Sequence, residues 1–368
     1  MGPRVSRPAL ENCLQDLPGV KIDSKQVEET EEILGSGAYG EVIVALYNGV
    51  RYASKKLHEA LVENDERISP NDPNSPVRKF REECQRMSQL RHPNIVQFIG
   101  VYFKPNAPPC LLMELLPICL ANFLEDKSNI GFDRKCFILL DVAKGLLCLH
   151  SHSPPIIHRD LTANNVLLTS GLTAKIADFG VARYLPLPTE TGGQYMTICP
   201  GNLNYMPPEA KKENALYDTK LDIFSFGHLT MYVATRKWPI LTDKSYENPV
   251  TGDTEYRTEI ERRNESLQMM TKENLKLRQL AVLCLQDDAN QRPMAKSIIE
   301  LLTKMIPNTR SKSQTLLDEM DQLKQKLQAK MDEVEELKKQ LAILRVSFYY
   351  AVACCMKPCN IKGATMPV

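Results

Sequence analysis

The fold of this chain is indicated most strongly by HRDLTANNVLL, residues 158–168. Asp160 carries a carboxylate that can accept a proton from an attacking hydroxyl group. Asn165, five residues later, carries an amide oxygen that can bind a metal ion, and an apolar run follows it at once. The run therefore predicts a catalytic loop that handles a proton with one side chain and a cation with the other.

A second acidic site follows ten residues after this run. The segment Asp178-Phe179-Gly180 comes directly after a strand-like stretch, residues 174–177. A carboxylate is a hard oxygen ligand of the kind that Mg²⁺ prefers. Asp178 and Asn165 are therefore the predicted metal ligands.

A glycine-rich stretch, GSGAYGEV at residues 35–42, lies between two strand patterns near the start of the chain. Glycines allow the backbone to approach a polyphosphate closely, because no side chain intervenes. A strand pattern follows the glycines, whereas a dinucleotide-binding fold would have a helix there. The predicted phosphate-binding residues of this stretch are Gly35, Ser36, Gly37 and Gly40.

Two further residues are predicted to form an ion pair near the phosphates. Ala53 and Lys55 point to the same face of a strand, because alternate side chains of a strand share a face. Glu83 lies on the apolar side of a helix predicted at 77–91, where a carboxylate needs a partner. Lys55 is the natural candidate for that partner.

The order and spacing of these motifs resemble the eukaryotic protein kinase family over about residues 28–307. MPPE at 206–209 and DIFSFG at 222–227 are similar to two further family motifs, and Arg292 matches the arginine that pairs with Glu209. The resemblance implies an α+β, bilobal fold with a five-stranded N-lobe and a helical C-lobe. ATP and Mg²⁺ are the implied cofactors, and they lie between the lobes.

The resemblance also implies a role for each motif residue. Lys55, held by Glu83, binds the α- and β-phosphates, and Asp160 orients and deprotonates the substrate hydroxyl. Asn165 and Asp178 hold Mg²⁺. The implied adenine pocket consists of Val42, Ala53, Met113, the hinge from Glu114 to Leu116, and Leu167. A buried stack of Met87, Phe98, His158 and Phe179, anchored by Asp222, is implied behind it.

The substrate class is less sharply indicated. Thr162 stands where Ser/Thr kinases usually carry lysine, and Asn202 stands where they usually carry threonine. This mixture resembles the tyrosine-kinase-like group, whose members are mostly Ser/Thr-specific. Dual or tyrosine specificity and a pseudokinase scaffold remain alternatives. Arg159 implies control by activation-loop phosphorylation, with four candidate acceptors: Thr189, Thr191, Tyr195 and Thr197.

The regions outside the predicted kinase domain differ from it in composition and in the spacing of their apolar residues. Residues 1–27 are predicted to be an N-terminal tail. Apolar residues recur at alternate spacings of four and three over 313–346, with Glu and Lys between them, which predicts a coiled coil and self-association. A lone amphipathic helix packed on the core is the alternative. The Cys-rich residues 347–368 are unassigned, as an acylated anchor or a binding segment.

The overall composition limits the partners and the compartment. The net charge of +1 gives no electrostatic reason to expect nucleic acid as a partner. No apolar run reaches the roughly 18 residues that span a bilayer, so no transmembrane segment is expected. The 11 cysteines lack metal-type spacing and are expected to be free thiols in a reducing compartment, which predicts a cytoplasmic protein. The resemblance to protein kinases implies that its substrates are proteins.

Overall fold

The computed structural model describes most of the first 306 residues and two residues beyond them. The described ranges are 21–37, 40–57, 76–104, 107–126, 130–185, 205–211, 218–237, 246–247, 254–255 and 259–306, with Lys330 and Glu333. Residues 1–306 form one compact unit and residues 307–368 form another. Apart from Lys330 and Glu333, which pair at 2.6 Å, the predicted coiled coil and the Cys-rich segment lie outside the described residues.

A five-stranded antiparallel sheet opens the first unit, as predicted. Its strands are β1 (Val27–Gly37), β2 (Gly40–Tyr47), β3 (Val50–Leu57), β4 (Phe98–Tyr102) and β5 (Cys110–Glu114), in the order β1-β2-β3-β5-β4. Asn48 and Gly49, both with positive φ, join β2 to β3. An Asn-Gly pair suits such a tight hairpin because both residues tolerate the left-handed region.

Helix α1 (Pro76–Gln89) crosses between β3 and β4. Phe80, Cys84 and Met87 recur at helical spacing on its inner side and are buried. Glu83 is buried on the same side, at 4% exposure. The helix begins one residue before the predicted range of 77–91 and ends two residues before its end, a difference typical of helix termini.

The N-terminal residues 21–27 belong to the fold rather than to a tail. The Ile22 amide donates to the Val101 carbonyl at 2.8 Å, at the edge of the sheet. The side chains of Ile22 and Val27 are buried against the outer face of the sheet, beside Tyr102. Residues 21–27 therefore pack on the sheet, because this apolar pair covers sheet surface that would otherwise face water.

The remainder of the unit is mainly helical. Its helices are α2 (Leu120–Asp126), α3 (Phe132–His150), α4 (Lys220–Thr235), α5 (Glu259–Gln268), α6 (Leu275–Cys284) and α7 (Ala295–Met305). Short strands pair as β6 (Ile118–Cys119), β8 (Val166–Leu168) and β9 (Ala174–Ile176) in one sheet, β7 (Ile156–Ile157) with β10 (Arg183–Tyr184), and β11 (Tyr246–Glu247) with β12 (Thr254–Glu255). Single turns of 3₁₀ helix lie at Ser24–Gln26, Pro208–Lys211, Lys272–Asn274 and Ala289–Gln291.

Helix α4 is the central axis of the helical region. Every residue from Leu221 to Val233 is buried, as the apolar sequence predicts. None of the helices among the described residues is long and apolar enough to cross a membrane.

A buried arginine ties the end of this region to the 3₁₀ turn at 208–211. Arg292 is 2% exposed, and its Nη2 donates to Glu209 at 2.9 Å. Its Nε donates to the Gln286 carbonyl at 2.7 Å, and its guanidinium lies 4.8 Å from the centre of the Phe224 ring. The predicted pairing of Arg292 with Glu209 is present, and the bidentate geometry is the strong form of this contact.

The sheet and the helical region meet at the loop before β4. Ile95 bridges to Ile176 of β9, and the side chain of Asn94 donates to the Ala174 carbonyl at 3.0 Å. Gly145 of α3 lies against the same loop: a Cβ there would stand 2.8 Å from both the Asn94 carbonyl oxygen and Cδ1 of Ile176. Only glycine fits without displacing backbone.

We predict that Gly145→Ala lowers the free energy of unfolding by about 1–2 kcal/mol. Overpacking against a rigid backbone costs up to about 3 kcal/mol, and replacing a helical glycine returns about 1 kcal/mol. Urea denaturation measures the difference. Gly171→Ala is the control, because its nearest neighbour would be 3.8 Å away. Equal stability of Gly145→Ala and the control would contradict the tight packing.

Candidate active site

The site is built around the ammonium group of Lys55, on β3. Its Nζ donates to Oε1 of Glu83 at 2.8 Å and to Oδ1 of Asp178 at 2.9 Å. Burial would lower the pKa of Lys55, but the two carboxylates outweigh it and hold that pKa above its ordinary value. Strand β3, helix α1 and the segment after β9 thus converge on one cation.

The two carboxylates differ in their environment. Burial raises the pKa of Glu83 above its ordinary value, although Lys55 opposes the shift. Burial alone would also raise the pKa of Asp178, but the attraction of Lys55 is stronger and lowers that pKa below its ordinary value. Asp178 therefore remains an anion, as a ligand for a cation must.

Asp160 and Asn165 are held together in the catalytic loop. The side-chain nitrogen Nδ2 of Asn165 donates to the Asp160 backbone carbonyl at 2.8 Å and to Oδ2 of Asp160 at 2.9 Å. Both bonds use the nitrogen of the amide, which leaves the amide oxygen for a cation. The Asn165 carbonyl accepts from the Ala177 amide at 2.8 Å, which ties this loop to the residue before Asp178.

Asp222, fully buried on α4, holds the start of the same loop. It accepts from the backbone amides of His158 and Arg159, each at 2.9 Å, and contacts Nε2 of His150 at 2.9 Å. Arg159 has a φ of 71°, a strained value that these bonds stabilise. Burial alone would raise the pKa of Asp222, but its hydrogen bond with His150 and the neighbouring charges lower it.

The predicted buried stack connects this loop to Asp178. The rings of His158 and Phe179 meet edge to face, 5.2 Å apart, and Nε2 of His158 lies 3.0 Å from the Ala177 carbonyl oxygen. Met87 and Phe98 are also buried in the main core. Asp178, the residue before buried Phe179, has a φ of 61°, a strained backbone conformation, and its side chain contacts Lys55.

The predicted adenine-pocket residues lie on neighbouring strands. Ala53 of β3 is paired with Met113 of β5, and Val42 of β2 is paired with Lys55. Leu167 lies on β8, paired with Lys175 of β9, and Leu116 follows β5 in the half-buried hinge. Leu34, just before the glycines and 45% exposed, is an apolar neighbour that the sequence analysis did not include.

The side chain of Glu114 is already engaged, and its backbone N–H donates to the Gln97 carbonyl at 3.0 Å, which leaves its carbonyl oxygen for a base. Its Oε1 and Oε2 lie 2.6 Å and 2.8 Å from Nζ of Lys175, and Oε1 accepts from the Gln97 amide at 2.6 Å. This contact joins the hinge to β9. Sequence reasoning missed Lys175, although its alternation with buried Ala174 and Ile176 marks it as facing away from the core.

The glycine-rich stretch continues the β1–β2 ladder. Gly35 is opposite Val42, Ser36 is opposite Glu41 and Gly37 is opposite Gly40. A Cβ on Gly40 would stand 2.1 Å from the Lys56 carbonyl oxygen, so a side chain is excluded at this position. Residues 38–39 lie outside the described residues, as do Asn202 and the four candidate activation-loop acceptors.

The donor set fits a nucleotide with a divalent cation. One ammonium group, one carboxylate and one amide oxygen stand beside a strand hairpin whose glycines leave the backbone uncovered. Gly180 borders the same cluster, since a Cβ there would lie 3.2 Å from Oδ1 of Asp178. Carboxylate and amide oxygens match Mg²⁺, and the ammonium group matches a phosphate.

We predict that Asp222→Asn lowers the free energy of unfolding by about 3–5 kcal/mol, because a buried cluster loses its anionic partner. The amide has one acceptor oxygen where the carboxylate offers two to backbone donors. Guanidinium denaturation measures the loss. Asp126→Asn, at an exposed position at the end of α2, is the control and is expected to change little.

The same variant tests the pH dependence. A folded-state pKa below the unfolded value stabilises the protein above that unfolded value, near 3.8, and the stabilisation is lost as the pH falls through the folded pKa. Asp222→Asn removes one such group and leaves Asp178. The free energy of unfolding should therefore fall less steeply with decreasing pH in the variant, by up to about 1.4 kcal/mol per pH unit. An unchanged slope would contradict a charged Asp222.

Comparison with known proteins agrees with this geometry. Residues 29–302 match the family model described as protein tyrosine and serine/threonine kinase. The serine/threonine-protein kinase VIK of Arabidopsis thaliana is 31% identical over 276 residues, which cover 74% of this chain and 59% of that protein. The probable serine/threonine-protein kinase drkA of Dictyostelium discoideum is 29% identical over 300 residues, 80% of this chain and 42% of that protein. The chain thus spans about 59% and 42% of the length of these two relatives, and the matched region covers most of the described structure. The chain belongs to the protein tyrosine and serine/threonine kinase family.

Proposed function

We propose that this chain is an ATP-dependent protein kinase that transfers the γ-phosphate of ATP to serine and threonine hydroxyls of proteins. The observation that carries the proposal is the assembled state of its ionic cluster. Lys55 contacts Glu83 at 2.8 Å and Asp178 at 2.9 Å, while Asn165 is bonded to Asp160 at 2.9 Å. Groups from the sheet, from α1 and from two loops are in place together.

The chemistry needs little more than positioning and charge neutralisation. Lys55 binds the α- and β-phosphates, and the backbone of Gly35, Gly37 and Gly40 covers the phosphates from above. Asp160 accepts a hydrogen bond from the substrate hydroxyl and takes its proton. Asn165 and Asp178 hold Mg²⁺, which offsets the negative charge of the phosphate oxygens when it is bound.

The base lies between the sheet and β8 in this proposal. Val42 and Ala53 cover one face of the adenine and Leu167 covers the other, with Met113 at the back. Backbone groups from Glu114 to Leu116 hydrogen-bond its edge. The ion pair between Glu114 and Lys175 supports this arrangement, because it fixes the hinge against β9 without using the hinge backbone.

Serine/threonine specificity is supported by the relatives VIK and drkA, which are named as a serine/threonine-protein kinase and a probable one. Thr162 and Asn202 favour a place in the tyrosine-kinase-like group. Thr162 is 4% exposed and cannot substitute for the long, charged lysine usual at this position. Dual specificity is the second candidate, because the loss of that lysine removes a feature typical of Ser/Thr kinases.

A pseudokinase scaffold is disfavoured by the same cluster. Pseudokinases usually lack the lysine that binds the phosphates, the aspartate that takes the proton or the aspartate that holds the metal. Here all three are present as Lys55, Asp160 and Asp178, and neighbouring side chains hold them in place. A binding-only role would give no reason to keep Asp160 bonded to Asn165.

We further propose a cytoplasmic protein that self-associates through a coiled coil at 313–346. Six cysteines among the described residues are free thiols, which suits a reducing compartment. Self-association would raise the effective concentration of one kinase domain near another and so favour phosphorylation between copies.

The phosphotransfer reaction is tested with labelled ATP and Mg²⁺. We expect phosphoserine or phosphothreonine on the protein itself or on a generic substrate, and we expect both to be lost in Asp160→Ala, because this change removes the group that takes the proton. Phosphoamino acid analysis gives the acceptor directly. Phosphotyrosine alone would overturn Ser/Thr specificity.

Self-association is tested by light scattering on the full chain and on a chain that ends at Pro307. We expect a dimer or a larger assembly for the first and a monomer for the second, because the heptad-patterned residues are removed. Identical monomeric masses would contradict the coiled coil.

A further inference from the structure

Helix α1 carries a buried arginine that the reaction scheme above does not use. Arg86 lies one turn after Glu83 and is 3% exposed. Its Nη2 donates to the backbone carbonyl of Phe179 at 3.4 Å, and its Nη1 lies 3.5 Å from Oε2 of Glu82. The carbonyl that it reaches belongs to the residue directly after Asp178.

Burial of the charged Arg86 side chain costs free energy that packing alone does not explain. A buried guanidinium must be compensated by anionic partners and hydrogen bonds, because its transfer out of water is costly. The compensation here is incomplete, because buried Nε has no hydrogen-bond partner among the described residues and Glu82 is 39% exposed. Burial also lowers the pKa of Arg86, against the attraction of Glu82 and Glu83.

The contacts of α1 with the segment after β9 follow a regular order. Glu83, Arg86 and Gln89 are spaced three residues apart and therefore lie along one edge of the helix. Glu83 reaches Asp178 through Lys55, Arg86 reaches the Phe179 carbonyl, and Gln89 accepts from the Tyr184 hydroxyl at 2.9 Å.

These contacts close a ring. One side runs from Glu83 through Lys55 to Asp178, the next runs along the backbone to Phe179, and the last returns through Arg86 to the helix. The ion pair of Lys55 with Glu83 links α1 to Asp178 only through a side chain of β3. The contact of Arg86 adds a direct attachment to the backbone after Asp178, one helical turn away.

We propose that Arg86 is a positioning residue that locks the Asp178–Phe179 backbone to α1, so that Asp178 stays where it can hold a divalent cation while Glu83 stays on Lys55. This proposal rests on the proposed kinase function and adds a residue to its machinery. Arg86 acts through the carbonyl of Phe179, which also accepts from the Ala182 amide at 3.1 Å, so that the first turn after Asp178 is fixed as well.

The test compares Arg86→Met with Arg91→Met in the full chain. The first substitution keeps the length and apolar stem of the side chain, and the second makes the same change at an exposed arginine just beyond α1. Three quantities are measured: kcat/KM, the Mg²⁺ concentration for half-maximal activity, and Tm.

We expect Arg86→Met to lower kcat/KM by roughly tenfold to a hundredfold, the usual effect of losing a group that orients a metal ligand. Its Mg²⁺ requirement should rise by a similar factor, while its Tm changes little, because Met fills a similar volume and the partly exposed Glu82 stays solvated. Arg91→Met should match the wild type in all three. Unchanged kcat/KM and Mg²⁺ requirement in Arg86→Met would overturn the proposal, as would a lowered Tm with an unchanged Mg²⁺ requirement.

The activity of Arg86→Lys and the change in Tm on nucleotide binding provide two further tests. Arg86→Lys retains a donor for the Phe179 carbonyl and should recover part of the lost activity, and a loss equal to that of Arg86→Met would contradict the role of this bond. If the wild type transfers no phosphate, the kinase proposal fails. The rise in Tm caused by ATP with Mg²⁺ then decides the role of Arg86: a smaller rise in Arg86→Met than in Arg91→Met supports it, and equal rises refute it.

Discussion

The ammonium group of Lys55 between two carboxylates is the interaction on which the active arrangement depends. A cation in a largely buried position is stable only with anionic partners, and Glu83 and Asp178, which are far apart in sequence, supply them here. The ion pair with Glu83 sets the position of α1 on the sheet. The ion pair with Asp178 sets the position of the segment after β9. ATP phosphates can compete for the same ammonium group, so the contacts that assemble the site also prepare it for its substrate.

The frame behind this cluster is built from buried polar groups rather than from apolar packing alone. Asp222 on α4 holds two successive backbone amides of the catalytic loop, and Arg292 holds the turn that contains Glu209. Each group is satisfied by several bonds in a dry environment, where a missing partner is costly and a complete network is rigid. Helix α4 can provide this anchor because nearly all of its surface is buried. The strained backbone at Arg159 and Asp178 persists because this frame supports it.

The sequence predicted the parts of this site whose chemistry is local, and it missed the parts that depend on distant contacts. The five-stranded sheet follows from the resemblance to protein kinases, α1 from the spacing of its apolar residues and α4 from a run that is apolar nearly all round. The pairing of Lys55 with Glu83 follows from a carboxylate on a buried helix face. Arg86 was missed because it lies in a charge-rich helix, where a buried arginine has the same local pattern as a solvated one. Lys175 was missed because its partner Glu114 is far away in sequence. Residues 21–27 were taken for a tail because Ile22 and Val27 are too few to form a recognisable pattern, and only the sheet surface that they cover gives them a fixed place.

The central claim is that Lys55, assembled with Asp178, makes this chain a receptor for ATP with a divalent cation. The most direct measurement is the change in Tm of the wild type and of Lys55→Met on addition of ATP, with and without Mg²⁺. The account predicts a rise of about 5 °C for the wild type at a hundredfold excess of nucleotide over Kd, dependent on Mg²⁺, and a much smaller rise for Lys55→Met. No rise in the wild type, or an equal rise in the two proteins, would contradict it.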